Sequence, residues 1–406
     1  MSTVGTALVI GGGIAGPVAA MALRKAGIEA TVHEAYPHTS NGIGGALALA
    51  PNGLAALDVV GAADAVRAIA TPIPKMAMSV GSRTLRAMPS LPDLPPLQVV
   101  ERGDLHRVLH DQAVAAGVRF EYGHRLVGVD EGEAGVTARF ADGSSASADV
   151  LIGADGVRST VRTLIDPNAP AAGYTGTLGF GANVDGVDVA GAPDAMTFAF
   201  GKRAYYLYWP LPGGGVAWGA NLPHPEPLTS TEARQIPAEE WLRILRETYE
   251  GDVPGGELAA RTTSESLQVT GALHIMPPVP HWYRGRMVLV GDAVHAPSNS
   301  TGQGASLAIE SGIQLARYLR DLPDVTSAFA AYERLRRTRV ETITARGAKI
   351  NHTKTPGPVA RRIMPLLLPI LFRTVMDPEK TMGAEQRYTI DWDAPVEQAS
   401  VPASIG

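Results

Sequence analysis

Thr6-Ala7-Leu8-Val9-Ile10-Gly11-Gly12-Gly13-Ile14-Ala15-Gly16-Pro17 is the stretch that decides how this chain is read. Thr6 to Ile10 is a short apolar run, which fits a buried parallel strand. It enters a turn with Gly11, Gly13 and Gly16 at the three positions of G-x-G-x-x-G. Pro17 stands where a first helical residue is expected. Val18 to Lys25 continues as helix, and Gly27 can end it. Ile28 to His33 is rich in strand formers, and Glu34, 23 residues after Gly11, closes it.

Each part has a physical use. Gly11 permits a tight turn, Gly13 lets backbone approach a pyrophosphate, and Gly16 lets the helix pack on the strand. The helix start, with Ile14 and Ala15, presents unpaired N–H groups and a positive dipole to phosphate. The Glu34 carboxylate can accept hydrogen bonds from both ribose hydroxyls, and would repel a 2′-phosphate. Strand, glycines, helix, second strand and terminal acid together predict a bound dinucleotide. They do not by themselves separate FAD from NAD. A second unit of this kind is not visible, so one dinucleotide is expected to be held stably.

The 406 residues suggest two or three units, in series or interleaved. Hydrophobic residues at 45% and charged residues at 18% argue against a disordered chain. A net charge of −5 gives no electrostatic reason to expect nucleic acid. There are no cysteines, which excludes disulfides, thiolate metal sites, iron–sulfur clusters and cysteine nucleophiles, and suits a cytoplasmic protein. No metal site is expected. The N-terminus lacks a signal peptide's basic region. Ile363 to Phe372 is too short to span a bilayer and is interrupted by Pro365 and Pro369, so it reads as a packed helical segment without stable membrane insertion.

Two further stretches repeat the strand-to-turn pattern. Val150-Leu151-Ile152-Gly153-Ala154-Asp155-Gly156 continues through Arg158 and Ser159 to Arg162. Met287-Val288-Leu289-Val290-Gly291-Asp292-Ala293-Val294-His295 leads to Gly302-Gln303-Gly304, after which a helix is expected from Ala305 to about Arg320. With the N-terminal turn, these motifs resemble, in kind and order over about three hundred residues, the single-component FAD-dependent aromatic hydroxylases of the para-hydroxybenzoate hydroxylase type.

That resemblance implies a fold and roles. The fold is α/β: a Rossmann-like FAD-binding domain (1–71, 101–172 and 277–345) interleaved with an antiparallel substrate-binding sheet (72–100 and 173–276), then a C-terminal helical segment and tail (346–406). Asp292 would bond a ribityl hydroxyl of FAD. Asp155 belongs to a motif that helps hold FAD and is tied to nicotinamide-cofactor use. Arg102 would contact FAD near its ribityl and pyrophosphate groups. Gly291 carries the turn that presents Asp292. Gly302, Gln303, Gly304 and Ala305 open a helix whose N–H groups and dipole suit the negative charge of reduced flavin. The implied activity is hydroxylation of an apolar, aromatic or polycyclic small molecule, with FAD, O2 and transient NADH or NADPH, through a flavin C4a-hydroperoxide. Epoxidation, Baeyer–Villiger oxidation or dehydrogenation on the same fold, and a non-catalytic flavin-bound ligand-binding protein, are the alternatives. A monomer or homodimer is expected, and no side-chain nucleophile is evident.

Between the motifs, Ala195 to Leu211 and Val216 to Leu222 flank Gly213-Gly214-Gly215, a hairpin signal. With Thr71 to Gln98 and Leu267 to Met276 they are expected to form one antiparallel sheet. Tyr206 and Tyr208 alternate with Tyr205 and Leu207, so the two sets face opposite sides, and one set is expected to line the substrate cavity. Tyr206 and Tyr208 are the candidates. Asn299 is a third, because related chains usually carry proline at that position. Helices are expected at 331–350 and 359–376. The basic run Arg334, Arg336, Arg337 and Arg339 reads as a solvated face, and His295 as either a packing residue or a site residue.

Overall fold

The computed structural model describes residues 4–38, 45–80, 83–84, 88–91, 93–133, 135–189, 194–353 and 379–396. The opening strand forms over Thr6–Ile10 and the second over Glu29–Glu34, parallel to each other. The helix between them spans Ala15–Lys25, so it begins two residues before Pro17. A proline there is tolerated because the first four N–H groups of a helix lack intrahelical partners anyway. Gly27 ends the helix at φ +82°, with Gly27 N–H donating to Arg24 and Ile28 N–H to Leu23. That is a left-handed glycine cap.

Val150–Gly153 pairs parallel with the opening strand, and Met287–Leu289 pairs parallel with Val150–Gly153. Arg119–Tyr122 extends the other side, and Tyr283–Arg284 adds an antiparallel edge, giving six strands. The helices Ala15–Lys25 and Gly304–Asp321 pack together on this sheet. Gly312 makes that approach possible, since a Cβ there would lie 3.1 Å from the Ala19 backbone.

The second large sheet carries Gln268–Ile275, Gly173–Val184, Val216–Pro223, Tyr205–Pro210, Ala195–Phe200 and Lys75–Val80 in that spatial order, with the short Arg83–Thr84 strand at the edge. The expected hairpin is present, and Gly214 and Gly215 take positive φ in its turn. The Thr71 to Gln98 segment departs from expectation in two ways. Lys75–Val80 joins the sheet parallel to Ala195–Phe200, so the sheet is not wholly antiparallel. Thr71–Ile73 and Leu97–Glu101 instead form a separate three-stranded sheet with Ala46–Leu49. Pro74, Pro89, Pro95 and Pro96 punctuate this stretch and break it into short pieces.

Among the described residues the last long helix is Val325–Thr353. The expected 359–376 helix and the apolar run at 363–372 lie outside the described residues. Among the described residues, no helix is long and apolar enough to cross a membrane.

Candidate functional site

The three motifs meet at the C-terminal ends of three adjacent parallel strands, where α/β sheets bind ligands. Gly11 has φ +108°, and a Cβ on it would lie 2.5 Å from the Ala154 carbonyl oxygen, so the first glycine turn and the Ala154–Gly156 turn touch through backbone. Gly16 is pressed against the Gly11 carbonyl. Gly13 is different: nothing lies within 4 Å of where its Cβ would stand. Its backbone faces open space, as a loop that receives a pyrophosphate requires. Gly291, at φ +60°, sits against Ala15, which brings the Gly-Asp turn to the helix start.

Glu34 lies beside the glycine turn. Its carboxylate accepts from Gly12 N–H (2.7 Å) and Tyr36 N–H (3.0 Å). These bonds fix the carboxylate at the end of the second strand, and each oxygen keeps a lone pair for a further donor.

Asp292 is solvent-accessible along the groove while protein atoms crowd its other sides. That crowding raises its carboxyl to about 6, opposed by the positive charge of Arg102. Water reaching along the groove moderates the shift. Arg102 is exposed at the first position of the helix Arg102–Ala115. An acid from the turn after Met287–Leu289 and a cation from a helix start therefore lie near one another, and neither is sealed in protein. Asp155 has a different setting. Its carboxylate accepts from Ser159 Oγ (2.5 Å), Thr160 N–H (2.7 Å) and Val161 N–H (3.1 Å), capping the helix Thr160–Ile165. Burial raises its carboxyl, and these bonds offset that. Arg162 donates to the Ala293 carbonyl (2.8 Å), tying the Asp155 motif to the Asp292 motif.

The Gly302–Gly304 turn is held from behind. Gly302 takes φ +61°, and the helix runs Gly304–Asp321, with Ala305 half-buried in its first turn. Gln303 is buried and points away from the groove: its Oε1 accepts from Asn52 Nδ2 (2.9 Å). Asn52 also donates to Glu310 (2.6 Å), whose carboxylate accepts from Arg336 (2.6 Å) and Arg339 (2.9 Å). Glu310 and Arg336 are 0% exposed, so the expectation of a solvated basic face is corrected. A buried acid on the preceding helix draws two of the four arginines inward. Burial raises the Glu310 carboxyl, and the Arg336 and Arg339 charges pull it below its ordinary range. His295 belongs to this interior: its Nε2 lies 2.8 Å from Ser311 Oγ, and burial together with Arg336 lowers its pKa to about 3. It packs as a neutral ring.

Asn52, Glu310 and Ser311 were not legible as a group in the sequence. The available signal was a lone acid, Glu310, inside the apolar helix pattern from Leu307 to Leu315.

Tyr206 and Tyr208 are not brought to the groove. Both are buried on the sheet face covered by the helices Ala238–Tyr249 and Gly255–Arg261. Tyr206 donates to the Val253 carbonyl (3.2 Å), accepts from Gly255 N–H (3.3 Å) and packs edge-on against Tyr249. Their candidacy as substrate contacts is corrected, because the helices cover the tyrosine face and leave the Tyr205, Leu207 face toward the flavin-side strands. Asn299 is exposed and opens the short helical turn Asn299–Thr301 just before the Gly302 turn. Among the described residues, no cluster of three or more His, Cys, Asp or Glu could hold a metal ion.

The residues present fit FAD: open backbone at Gly13 for phosphates, Glu34 for a ribose, and Asp292 with Arg102 farther along the same groove. Comparisons with known proteins agree. A family model described as an FAD binding domain matches residues 5–204. The 3-amino-4-hydroxybenzoate 2-monooxygenase PtmB3 of Streptomyces platensis is 30% identical over 85% of this chain and 87% of its own. The aurachin C monooxygenase/isomerase of Stigmatella aurantiaca is 29% identical over 86% of this chain and 90% of its own. A crystal structure of Klebsiella pneumoniae HpxO complexed with FAD and uric acid superposes with a TM-score of 0.81 at 26% identity, covering 95% of this chain and 97% of that one. A fold shared over nearly the whole length, together with a groove lined by the motif residues, places the chain in the family of FAD-dependent aromatic hydroxylases and monooxygenases, and it is an oxidoreductase that uses FAD.

Proposed function

We propose that this enzyme hydroxylates an apolar aromatic small molecule, using NADH or NADPH as transient reductant and O2 as oxidant. The balance is one substrate C–H, one O2, one NAD(P)H and one proton giving one C–OH, one water and NAD(P)+. Bound FAD supplies the two-electron store and the activation of O2. The chain's residues do the rest. The Gly11–Gly16 turn and the N-terminus of Ala15–Lys25 would hold the pyrophosphate, and Glu34 the adenosine ribose. Asp292 and Arg102 would hold the ribityl end. The N–H groups at Gly302–Gly304 would support negative charge on the ring.

We read residues 1–71, 101–172 and 277–345 as the flavin-holding part and 72–100 with 173–276 as the substrate-holding part. Lack of cysteines suits a cytoplasmic setting. The observation that carries this reading is the meeting of Gly13, Glu34, Asp292 and Arg102 along one groove beside the sheet face that carries Leu207. The test is purification, an absorption spectrum, and NADH and NADPH oxidation under O2 with an aromatic panel. A product heavier by one oxygen atom, formed in step with reductant, is expected. A protein that takes up no FAD, or whose reductant consumption no substrate stimulates, contradicts the proposal.

A further inference from the structure

One row of residues crosses the large sheet from edge to edge. Met78, Phe198, Leu207, Gly219, Gly181 and Gln268 are register partners on successive strands. All six are half-buried, whereas Phe180, Tyr206, Tyr208 and Trp218 on the opposite face are buried beneath helices. The neighbouring row is also covered: Met196, Trp209 and Ala217 lie under Ile73 and Val99 of the small sheet. A central sheet face must be covered by another layer or by a ligand. Phe198 and Leu207 of the first row pack against the edge of that cluster as well, so the part the protein leaves open runs from Gly219 through Gly181 to Gln268.

The middle of that row has no side chains. A Cβ at Gly181 or at Gly219 would lie no closer than 3.5 Å to any protein atom, an ordinary contact distance, so the protein leaves room above each glycine. Gly179 shows the contrast, since the space above it is taken by Thr270 Oγ1. Two adjacent strands without Cβ atoms make a flat floor about 10 Å wide at the usual strand spacing. The two ends differ. Leu207 and Phe198 are apolar. Gln268 is polar, and its Oε1 stands 3.5 Å from the Cβ position of Gly181 and 3.4 Å from that of Gly45. Its amide also bonds Glu101, whose carboxylate can only accept, so the amide nitrogen is turned to Glu101 and Oε1 to the floor. Gly45 accepts from Arg102 N–H, which puts this polar end against the flavin-side strands.

We propose that Gly181 and Gly219 seat a planar fused-ring aromatic substrate, that Gln268 Oε1 accepts from an O–H or N–H on its edge, and that Leu207 and Phe198 contact its apolar end. This rests on the monooxygenase reading above. It excludes a substrate with a bulky out-of-plane group over the glycines, and it favours one carrying a donor, such as a phenol or a ring N–H.

The test uses the FAD-loaded protein and four probes: 2-naphthol, 4-hydroxyquinoline, naphthalene and phenol. Binding is read from the perturbation of the flavin absorption spectrum. 2-Naphthol and 4-hydroxyquinoline should bind, with naphthalene and phenol each at least about fivefold weaker for want of a donor or a second ring. Gly219→Val should weaken the two-ring donors at least about tenfold with FAD content unchanged. If that variant does not fold, Gly219→Ala should weaken them at least about threefold. Gln268→Leu should bring 2-naphthol down to the affinity of naphthalene. The proposal is overturned if neither donor probe binds, if the glycine variant that folds binds them as the wild type does, or if Gln268→Leu keeps the preference for 2-naphthol. A chain that holds no FAD refutes the monooxygenase reading. One that holds FAD, is reduced by NADH or NADPH and ignores the two-ring probes refutes only this seat.

Discussion

Glu34 holds the Gly12 and Tyr36 N–H groups with its carboxylate oxygens and still has lone pairs to offer a ribose. Its removal should act on both. A charge-assisted hydrogen bond is worth about 1.5–3 kcal/mol, so Glu34→Ala should weaken FAD binding at least roughly tenfold. Titration of the apoprotein with FAD measures this, and unchanged affinity would remove Glu34 from the site. Asp292 adds a pH dependence. Its carboxyl is raised to about 6 by burial, so it is charged at neutral pH and takes up a proton as pH falls through about 6. A carboxylate accepts from ribityl hydroxyls better than a neutral acid does. FAD affinity should therefore fall below about pH 6 in the wild type. In Asp292→Asn it should be weaker at neutral pH and flat across that range. Parallel pH profiles for the two proteins would show that Asp292 only shapes its turn.

At the scale of elements, the Gly304–Asp321 and Val325–Thr353 helices are joined by the buried Glu310, Arg336 and Arg339 cluster, and through Asn52 that cluster holds Gln303. Breaking a buried ion pair by removing one partner costs about 3–5 kcal/mol. Arg336→Met should lower stability by that order and, by loosening the Gly302–Gly304 turn, slow flavin reduction as well. Denaturant titration and stopped-flow reduction test the two effects. The loop before that turn allows a gentler probe. Ser298 has ψ 140°, an extended conformation that suits a residue preceding proline, and Asn299 begins a helical turn. Asn299→Pro should therefore fold and keep FAD. A change in hydrogen peroxide released per reductant consumed would show that Asn299 shapes oxygen transfer, and identical coupling would leave it a turn residue. The contrast between these elements explains what the sequence made legible. The glycine turns could be read because each motif is contiguous: Gly16 answers to the Gly11 carbonyl five residues before it, and Gly291 and Asp292 follow directly on their own apolar strand. Period-two alternation separated Tyr206 and Tyr208 from Tyr205 and Leu207. Which face is covered depends on the helices Ala238–Tyr249 and Gly255–Arg261, thirty or more residues on, and alternation does not report that. The Arg336 to Glu310 pair is likewise formed across 26 residues by the packing of two helices.

The molecule as a whole holds several titratable groups out of water, and they do not all pull the same way. Burial lowers His33 and His106 to about 4, the latter aided by Arg102, and burial with Arg336 lowers His295 to about 3. Each binds its proton more readily unfolded, at the ordinary pKa of about 6.5, than folded. Each therefore contributes stability that is present above about pH 6.5 and is lost as pH falls toward the folded value. Between pH 7 and pH 5 that is roughly 2 kcal/mol per histidine. Asp292 works in the opposite sense. Its raised pKa makes the folded state bind a proton more readily than the unfolded one between about 4 and 6, so acid returns some stability, less than a histidine loses because water reaches this exposed side chain. The histidines win by number. The apoprotein should be less stable at pH 5 than at pH 7, with its melting temperature lower by on the order of 5 °C. Thermal unfolding at the two pH values, repeated on His33→Gln, His106→Gln and His295→Gln, tests this: each substitution should flatten the dependence by about a third of the total. Equal melting temperatures at both pH values would mean that the three rings take up protons as easily folded as unfolded, and that water reaches them through openings wider than the packing of His33 on Phe140 and of His295 on Trp282 allows.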